Sequence, residues 1–166
     1  MVNAAGPCRC AVGDRWFVDE TYVKVAGVWR YVYRAVDQHG QILDVFVSKR
    51  RDKAATEWFF AMALRNHGGP LENVTDKSPT LATVIADAEY CTEQYANNRT
   101  ECDHGRLKAR LRPRRGLKTD RTASVVIRGH ALVQNFRRGH YLFDCNTDPT
   151  ARLDAAFDDL LPTVRR

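Results

Sequence analysis

The chain has 166 residues and a formal net charge of +6, with 44% hydrophobic and 28% charged residues. These values are typical of one globular domain and exclude collagen, low-complexity and intrinsically disordered chains. No apolar run approaches the roughly 20 residues of a membrane-spanning helix, and no basic-then-apolar leader opens the chain, so we expect a cytoplasmic protein without a membrane partner.

Three strands are predicted in the first third of the chain. Two runs rich in β-branched and aromatic residues, 15–23 and 28–37, are separated by the turn signal Ala26-Gly27. His39-Gly40 then leads into a third predicted strand at 41–47. Because the connections are short, we expect three antiparallel neighbours.

The periodicity then changes from that of strands to that of helices. Asp52 is a good N-cap for a helix that ends at His67, where two glycines and a proline follow. A short strand at 72–75 comes next, and the helical crossover predicts that it runs parallel to a strand of the meander. The remaining predicted elements are helices at 78–88, 99–111, 120–138 and 153–161 and a short strand at 93–96. The pattern predicts an α/β fold whose mixed sheet is flanked by helices.

Positive charge is concentrated in one part of the chain, residues 97–140, which we call the basic segment. It contains twelve basic and three acidic residues, a net charge of +9, while the rest of the chain carries −3. Such a block is typical of proteins that bind a polyanion, with nucleic acid as the first choice. A solvated basic helix face is the alternative interpretation.

Three carboxylates occupy positions that invite a functional interpretation. Asp19 lies within an apolar strand, where the charge of a buried carboxylate must be compensated. Either the strand is an exposed edge or Asp19 forms an ion pair, or else its carboxylate is a ligand of Mg²⁺. Asp76 ends the fourth strand, where it either serves a ligand crevice or caps the next helix. On a helix, Glu101 would share one face with His104 and Lys108; a surface helix laced with ion pairs is the alternative.

Four motifs in order along residues 14–140 resemble the catalytic domain of IS6-family insertion-sequence transposases. They are Trp16-x-Val18-Asp19-Glu20-Thr21-Tyr22-Val23, Tyr31-x-Tyr33-Arg34-Ala35-Val36-Asp37, Thr75-Asp76-Lys77 and Asn97-Asn98-Arg99-x-Glu101-x-Asp103-His104-x-x-Leu107-Lys108. The resemblance implies a ribonuclease H-like fold, three antiparallel strands plus parallel strands, with a catalytic, metal-binding triad of Asp19, Asp76 and Glu101.

The resemblance also implies the chemistry of a DNA transposase. Three carboxylates can hold two Mg²⁺ ions, for which Mn²⁺ could substitute, and these clamp the attacking and leaving oxygens of a phosphoryl displacement. Water as nucleophile frees a 3′-hydroxyl at the end of the element, and that hydroxyl then joins target DNA. The implied contact to DNA is Lys108, and we expect further contacts from its basic neighbours His104, Arg106, Arg110, Arg112, Arg114, Arg115 and Lys118.

The expected partners are the ends of an insertion sequence, target DNA and further copies of the chain assembled on that DNA, at the bacterial nucleoid. We predict a residual N-terminal segment at 1–14, a catalytic domain at 15–145 and a helical tail at 146–166. Members of the family normally carry a helix-turn-helix region before the catalytic domain. Because only about 14 residues precede the first strand, an N-terminally truncated product is expected.

Two alternatives stay open at this point. A non-catalytic remnant could bind DNA through the basic segment and inhibit an intact transposase. A Mg²⁺-dependent nuclease of the ribonuclease H-like fold would hydrolyse strands without joining them. Only 24 residues separate Asp76 from Glu101, so activity requires that Glu101 reach the metal ions across this short spacer.

Overall fold

The computed structural model describes residues 8–75, 83–84, 105–109, 111, 116–142 and 148–164, with side chains through residue 160. Its strands and helices are β1 Arg15–Val25, β2 Val28–Asp37, β3 Ile42–Ser48, α1 Lys53–His67, β4 Glu72–Thr75, α2 Asp120–Arg138 and α3 Arg152–Val164. The chain divides into two compact units, Val12–Ile127 and Met1–Ala11 with Arg128–Arg166. The predicted boundaries at 14 and 145 stay a prediction.

The larger unit is built on a four-stranded sheet with the order β3-β2-β1-β4. Strands β1 and β2 pair antiparallel, as do β2 and β3, whereas β1 and β4 pair parallel. The meander and the parallel crossover strand are therefore confirmed, and with them the mixed sheet. In this strand order β1 lies in the interior of the sheet, between β2 and β4.

The turn between β1 and β2 lets β1 continue to Val25, two residues further than predicted, while β2 begins at Val28 as predicted. Ala26 and Gly27 both have positive φ angles, 49° and 81°. Two such residues form the tight two-residue turn whose twist matches that of the flanking strands. The pairing therefore extends to Val25 and Val28, directly next to the turn.

Helix α1 covers one face of the sheet. Its N-cap Asp52 accepts a hydrogen bond from the backbone N–H of Ala55 at 2.9 Å, and Gly68, at φ 78°, follows its last residue. The apolar core beneath it consists of Trp16, Val18, Tyr33, Ala35, Leu43, Phe59, Phe60, Ala63 and Val84. Because side chains alternate along a strand, Asp19 belongs to the opposite face from Val18.

The later predicted elements are described in part. Residues 83–84, 105–109 and 111 are helical, and α2 has the predicted bounds. Helix α3 begins one residue earlier and ends three residues later than predicted. The predicted strand at 93–96 lies outside the described residues. Within the part of the chain that the structure describes, no helix has the length and apolar character needed to cross a membrane.

The smaller unit has its own apolar core. Leu132 and Phe136 of α2 pack there with Tyr141 and with Ala156 and Leu160 of α3. The N-terminal segment joins this unit through its backbone: the N–H of Cys10 donates to the carbonyl of His140 at 3.1 Å, and the N–H of Leu142 donates to the carbonyl of Cys8 at 2.7 Å. Burial raises the pKa of the Tyr141 hydroxyl.

Candidate active site

Asp19 lies in the middle of β1 and is only 3% exposed. Strand β2 flanks β1 on one side and β4 flanks it on the other, so β1 is not an edge strand. The interpretation of Asp19 as an exposed edge residue is therefore wrong. A carboxylate buried at such a position is costly unless a charge or a hydrogen-bond donor compensates it.

Arg34 supplies that compensation from the neighbouring strand. It is the residue of β2 directly opposite Asp19, and it is 4% exposed. Its Nη2 atom lies 3.4 Å from Oδ2 of Asp19. Removing one partner of such a buried pair is strongly destabilising, because the other charge is left uncompensated. The ion-pair account of Asp19 is thus confirmed, and a metal-ligand role for the same carboxylate stays a prediction.

Two other buried aspartates have structural roles. Asp37 accepts hydrogen bonds from the backbone N–H groups of Gly13, His39 and Gln41, which ties the β2–β3 turn to the start of β1. Asp44 accepts from the side-chain amide of Asn66 in α1 at 2.9 Å. These contacts account for both carboxylates without any ligand.

The two other predicted triad residues, Asp76 and Glu101, lie outside the described residues. So do five predicted DNA-contacting residues: His104, Arg110, Arg112, Arg114 and Arg115. Strand β4 is described to its last residue, Thr75, which pairs with Val18 next to Asp19. No group of three histidine, cysteine, aspartate or glutamate side chains that could hold a metal ion occurs among the residues the structure covers.

Three predicted DNA-contacting residues are described, and all are exposed: Arg106, Lys108 and Lys118. Leu107, between the first two, is buried and anchors this helical segment. The ammonium group of Lys108 lies 4.9 Å from the centre of the Tyr22 ring on β1. Further along the basic segment, Arg121, Arg128 and Arg137 on α2 are also exposed. The charges are accessible, as DNA binding requires, and their contacts to DNA stay a prediction.

Two arginines on β2 contact carboxylates, a role that the sequence patterns did not predict. Arg30 lies four residues before Arg34, on the same face of the strand. Its Nε donates to Oδ1 of Asp120 at 2.6 Å, which fixes the first residue of α2 to the sheet. The hydrogen bond from Arg30 lowers the pKa of Asp120, and nearby Lys49 lowers it further. The spacing of the two arginines could have predicted such contacts, because arginines four residues apart lie on the same face of a strand that is otherwise mostly apolar and aromatic.

Residues 13–140 match the profile of the family DDE_Tnp_IS240, described as a DDE domain. The chain belongs to this DDE domain family. The match spans every motif named in the sequence, and the expectation of an IS6-family transposase domain is confirmed.

Curated relatives of this DDE domain are insertion-sequence transposases from Staphylococcus aureus. The transposase for insertion sequence-like element IS431mec is 30% identical over 142 residues, which covers 78% of the chain and 62% of that relative. The transposase for insertion sequence element IS257 in transposon Tn4003 has the same identity and coverage. The chain thus spans about three fifths of the length of these relatives.

Solved structures similar to the DDE domain include a retroviral integrase core and a chain of a retroviral intasome complex. The HTLV-2 integrase catalytic core domain in complex with magnesium gives a TM-score of 0.56 at 20% identity, covering 75% of this chain and 88% of that one. A chain of the simian T-cell lymphotropic virus intasome in complex with PP2A regulatory subunit B56 gamma gives a TM-score of 0.59 at 17% identity, covering 87% of this chain and 56% of that one. At such identities the likeness shows the fold, and the ribonuclease H-like architecture is confirmed.

Proposed function

We propose that the DDE domain catalyses cleavage and joining of DNA strands during transposition of an insertion sequence. The observation that carries the proposal is the position of Asp19: a carboxylate buried in a central strand, inside the DDE family match, next to the end of the parallel strand β4. Carboxyl ends of parallel strands are where such sheets bind ligands.

The remaining triad residues are Asp76 and Glu101 in this proposal. Asp76 follows Thr75 directly in sequence. Thr75 pairs with Val18, the residue before Asp19. This adjacency in sequence supports one shared site for Asp19 and Asp76, and Glu101 joins them by the resemblance of its motif.

Proteins of the DDE transposase and integrase class depend on divalent metal ions. We propose Mg²⁺ as that ion, because aspartate and glutamate oxygens are the ligands it prefers. When bound, it polarises phosphoryl oxygens and stabilises the charge that develops in phosphoryl transfer. Asp19 holds a carboxylate oxygen in place for the ion, and Arg34 orients that carboxylate from the neighbouring strand.

The proposed partners are the ends of an insertion sequence, target DNA and further copies of the chain on that DNA. The exposed cations of the basic segment, among them Arg106, Lys108 and Lys118, support DNA binding because they can neutralise phosphates. Such a protein would act at the bacterial nucleoid.

A nicking and strand-transfer assay tests the proposed function. The protein is incubated with DNA carrying an insertion-sequence end, with Mg²⁺, with Mn²⁺ or with a chelator. We expect metal-dependent nicking and joined products. Asp19→Asn keeps the size of the side chain and the basic surface but leaves the buried Arg34 without its charged partner, so folding is checked by circular dichroism. In the folded fraction the variant should lose nicking and joining while DNA binding persists.

The matched control is Asp44→Asn, the same change in a buried strand aspartate that contacts α1 on the other face of the sheet. It should keep nicking in whatever fraction of the protein stays folded. Hydrolysis without joining would favour the nuclease interpretation, and DNA binding without any product would favour the non-catalytic remnant. Wild-type rates in Asp19→Asn would contradict the assignment of Asp19.

A further inference from the structure

A pocket of about 450 Å³ lies at the end of the β1–β2 hairpin, and we call it the Tyr22–Trp29 pocket. Its lining includes Tyr22, Lys24, Trp29, Lys108, Leu111 and Leu117. Its volume falls in the range typical of small-molecule sites. The described lining contains two cations and no carboxylate, so the pocket favours an anionic or electron-rich occupant.

Two aromatic rings are unusually open to solvent in this pocket. Tyr22 is 53% exposed and Trp29 is 48% exposed. The rings meet edge to face, with centres 5.0 Å apart and planes at 87°. Single exposed aromatic residues are common, but two that share one concave, cationic site form a stacking platform of the kind that single-stranded nucleic acids use.

Each ring also makes a cation–π contact with a lysine side chain. The ammonium group of Lys24 lies 4.8 Å from the centre of the Trp29 ring, and that of Lys108 lies 4.9 Å from the centre of the Tyr22 ring. Contacts between a cation and an exposed ring are weaker than the stacking of a base on a ring. An arriving nucleotide can therefore displace the ammonium groups from the rings, and its phosphates then pair with them.

We propose that the Tyr22–Trp29 pocket binds an unpaired nucleotide of the DNA, with its base stacked on Tyr22 or Trp29 and its phosphates paired with Lys24 and Lys108. The proposal rests on the proposed function and assigns a ligand to a part of the surface that the triad does not use. The apolar side chains of Leu111 and Leu117 offer no hydrogen bonds to base edges, so binding should tolerate any base.

Tyr22 lies on the other face of the sheet from Asp19. It follows Asp19 by three residues on β1, and side chains alternate between the two faces along a strand. Its partner on β2, Tyr31, packs against the core on the α1 face. The nucleotide in the pocket is therefore not the one whose phosphate reacts at Asp19, and the pocket would hold an unpaired nucleotide elsewhere along the bound strand.

Binding to strands with and without bases tests this proposal. The probes are a labelled single-stranded oligothymidylate and an abasic strand of the same length and charge, followed by fluorescence anisotropy. Wild type should bind the base-containing strand about tenfold more tightly, since stacking on an aromatic ring has roughly that effect per base. Trp29→Ala and Tyr22→Ala should lose most of this preference and bind the abasic strand as wild type does.

Three further variants separate stacking from charge and from folding. Trp58→Ala removes a tryptophan that lies outside the pocket and is exposed to a similar degree, 54%. This variant should still prefer the base-containing strand. Trp29→Phe keeps a ring and should retain most of it, with the fold checked by circular dichroism. Lys24→Ala should weaken both strands equally and lower the slope of log affinity against log salt by about 0.7, as for one lost phosphate contact on a single strand.

Two results would overturn the proposal. One is equal binding of the two strands by wild type, which leaves the proposed function intact because phosphate binding persists. The other is an unchanged preference in both Trp29→Ala and Tyr22→Ala. Failure of wild type to bind either strand or a duplex at low salt would instead overturn the proposed function, and the pocket assignment with it.

Discussion

The charged side chains in the middle of β1 and near its end differ in burial and in the kind of partner they contact. At Asp19, in its middle, the charge is buried and matched by Arg34 from the neighbouring strand. Near its end, Lys24 and the ring of Tyr22 are exposed, and the local cations rest on aromatic faces. A buried pair is costly to break, whereas exposed cation–π contacts are weak and exchangeable. The first arrangement suits a fixed catalytic group, and the second suits a surface that meets its ligand transiently.

Breaking the buried pair should have the largest effect. Arg34→Met leaves the carboxylate of Asp19 buried without its guanidinium partner, so the free energy of unfolding should fall by about 3–5 kcal/mol. Urea denaturation followed by circular dichroism measures the loss. The double variant Asp19→Leu/Arg34→Met removes both charges and should recover most of the stability. A loss below about 1 kcal/mol in Arg34→Met would contradict the importance of the pair.

A matched pair of tyrosines sharpens the comparison. Tyr33 is fully buried, with ring centres 5.9 Å from Phe59 and 6.2 Å from Phe46, whereas Tyr22 is half exposed. Tyr33→Ala should lower the free energy of unfolding by about 3–5 kcal/mol, as for other large aromatic residues in cores. Tyr22→Ala should lower it by less than about 1 kcal/mol. Equal losses in the two variants would mean that the exposed end of β1 is part of the core.

The turn that joins the two strands should have an intermediate effect. Gly27 has a φ of 81°, and a Cβ there would meet no described atom within 4 Å. Gly27→Val should therefore cost about 1–2 kcal/mol through backbone strain alone. Thermal unfolding measures this, with Gly27→Asn as the control, because asparagine tolerates the left-handed region and should lose much less. A Gly27→Val variant as stable as wild type would argue against the observed turn.

The smallest expected effect is a change in pH dependence at the ion pair between Arg30 and Asp120. The pKa of Asp120 is lowered in the folded protein, first by the hydrogen bond from Arg30. The carboxylate therefore stabilises the fold above its unfolded pKa, and this contribution is lost as the pH falls through the folded pKa. Arg30→Gln should raise the pKa of Asp120 towards its ordinary value and flatten the acid dependence of stability.

An NMR titration of the aspartate carboxyl carbons measures that shift. Asp148 is the internal control, because its pKa is lowered first by the hydroxyl and backbone N–H of Thr150 and then by Arg152, and Arg30 is not among the groups that act on it. Its titration should be the same in both proteins. If the pKa of Asp120 is the same in Arg30→Gln as in wild type, another group lowers it. Lys49 would then be the next residue to substitute.

Local sequence patterns were enough to predict much of the fold and to single out one carboxylate that needs a partner. The alternation and turn chemistry of residues 15–48 predicted the meander, the N-cap Asp52 predicted α1, and the helical crossover predicted the parallel β4. These features depend on neighbours a few residues apart, so one chain suffices to predict them. The sequence alone also shows that Asp19 is unusual, because a carboxylate within an apolar strand can be recognised without a structure.

Only the tertiary structure decided what surrounds those residues. The pairing of β1 with β2 sets Arg34 opposite Asp19, and a shift of register by one residue would have moved every side chain to the other face. Likewise, Lys108 meets Tyr22 across 86 residues of sequence, and no local pattern predicts such a contact. The sequence by itself determined which elements form and which charges need a partner; the sheet register and the packing of distant segments determined the partners, because those contacts depend on the whole chain having folded.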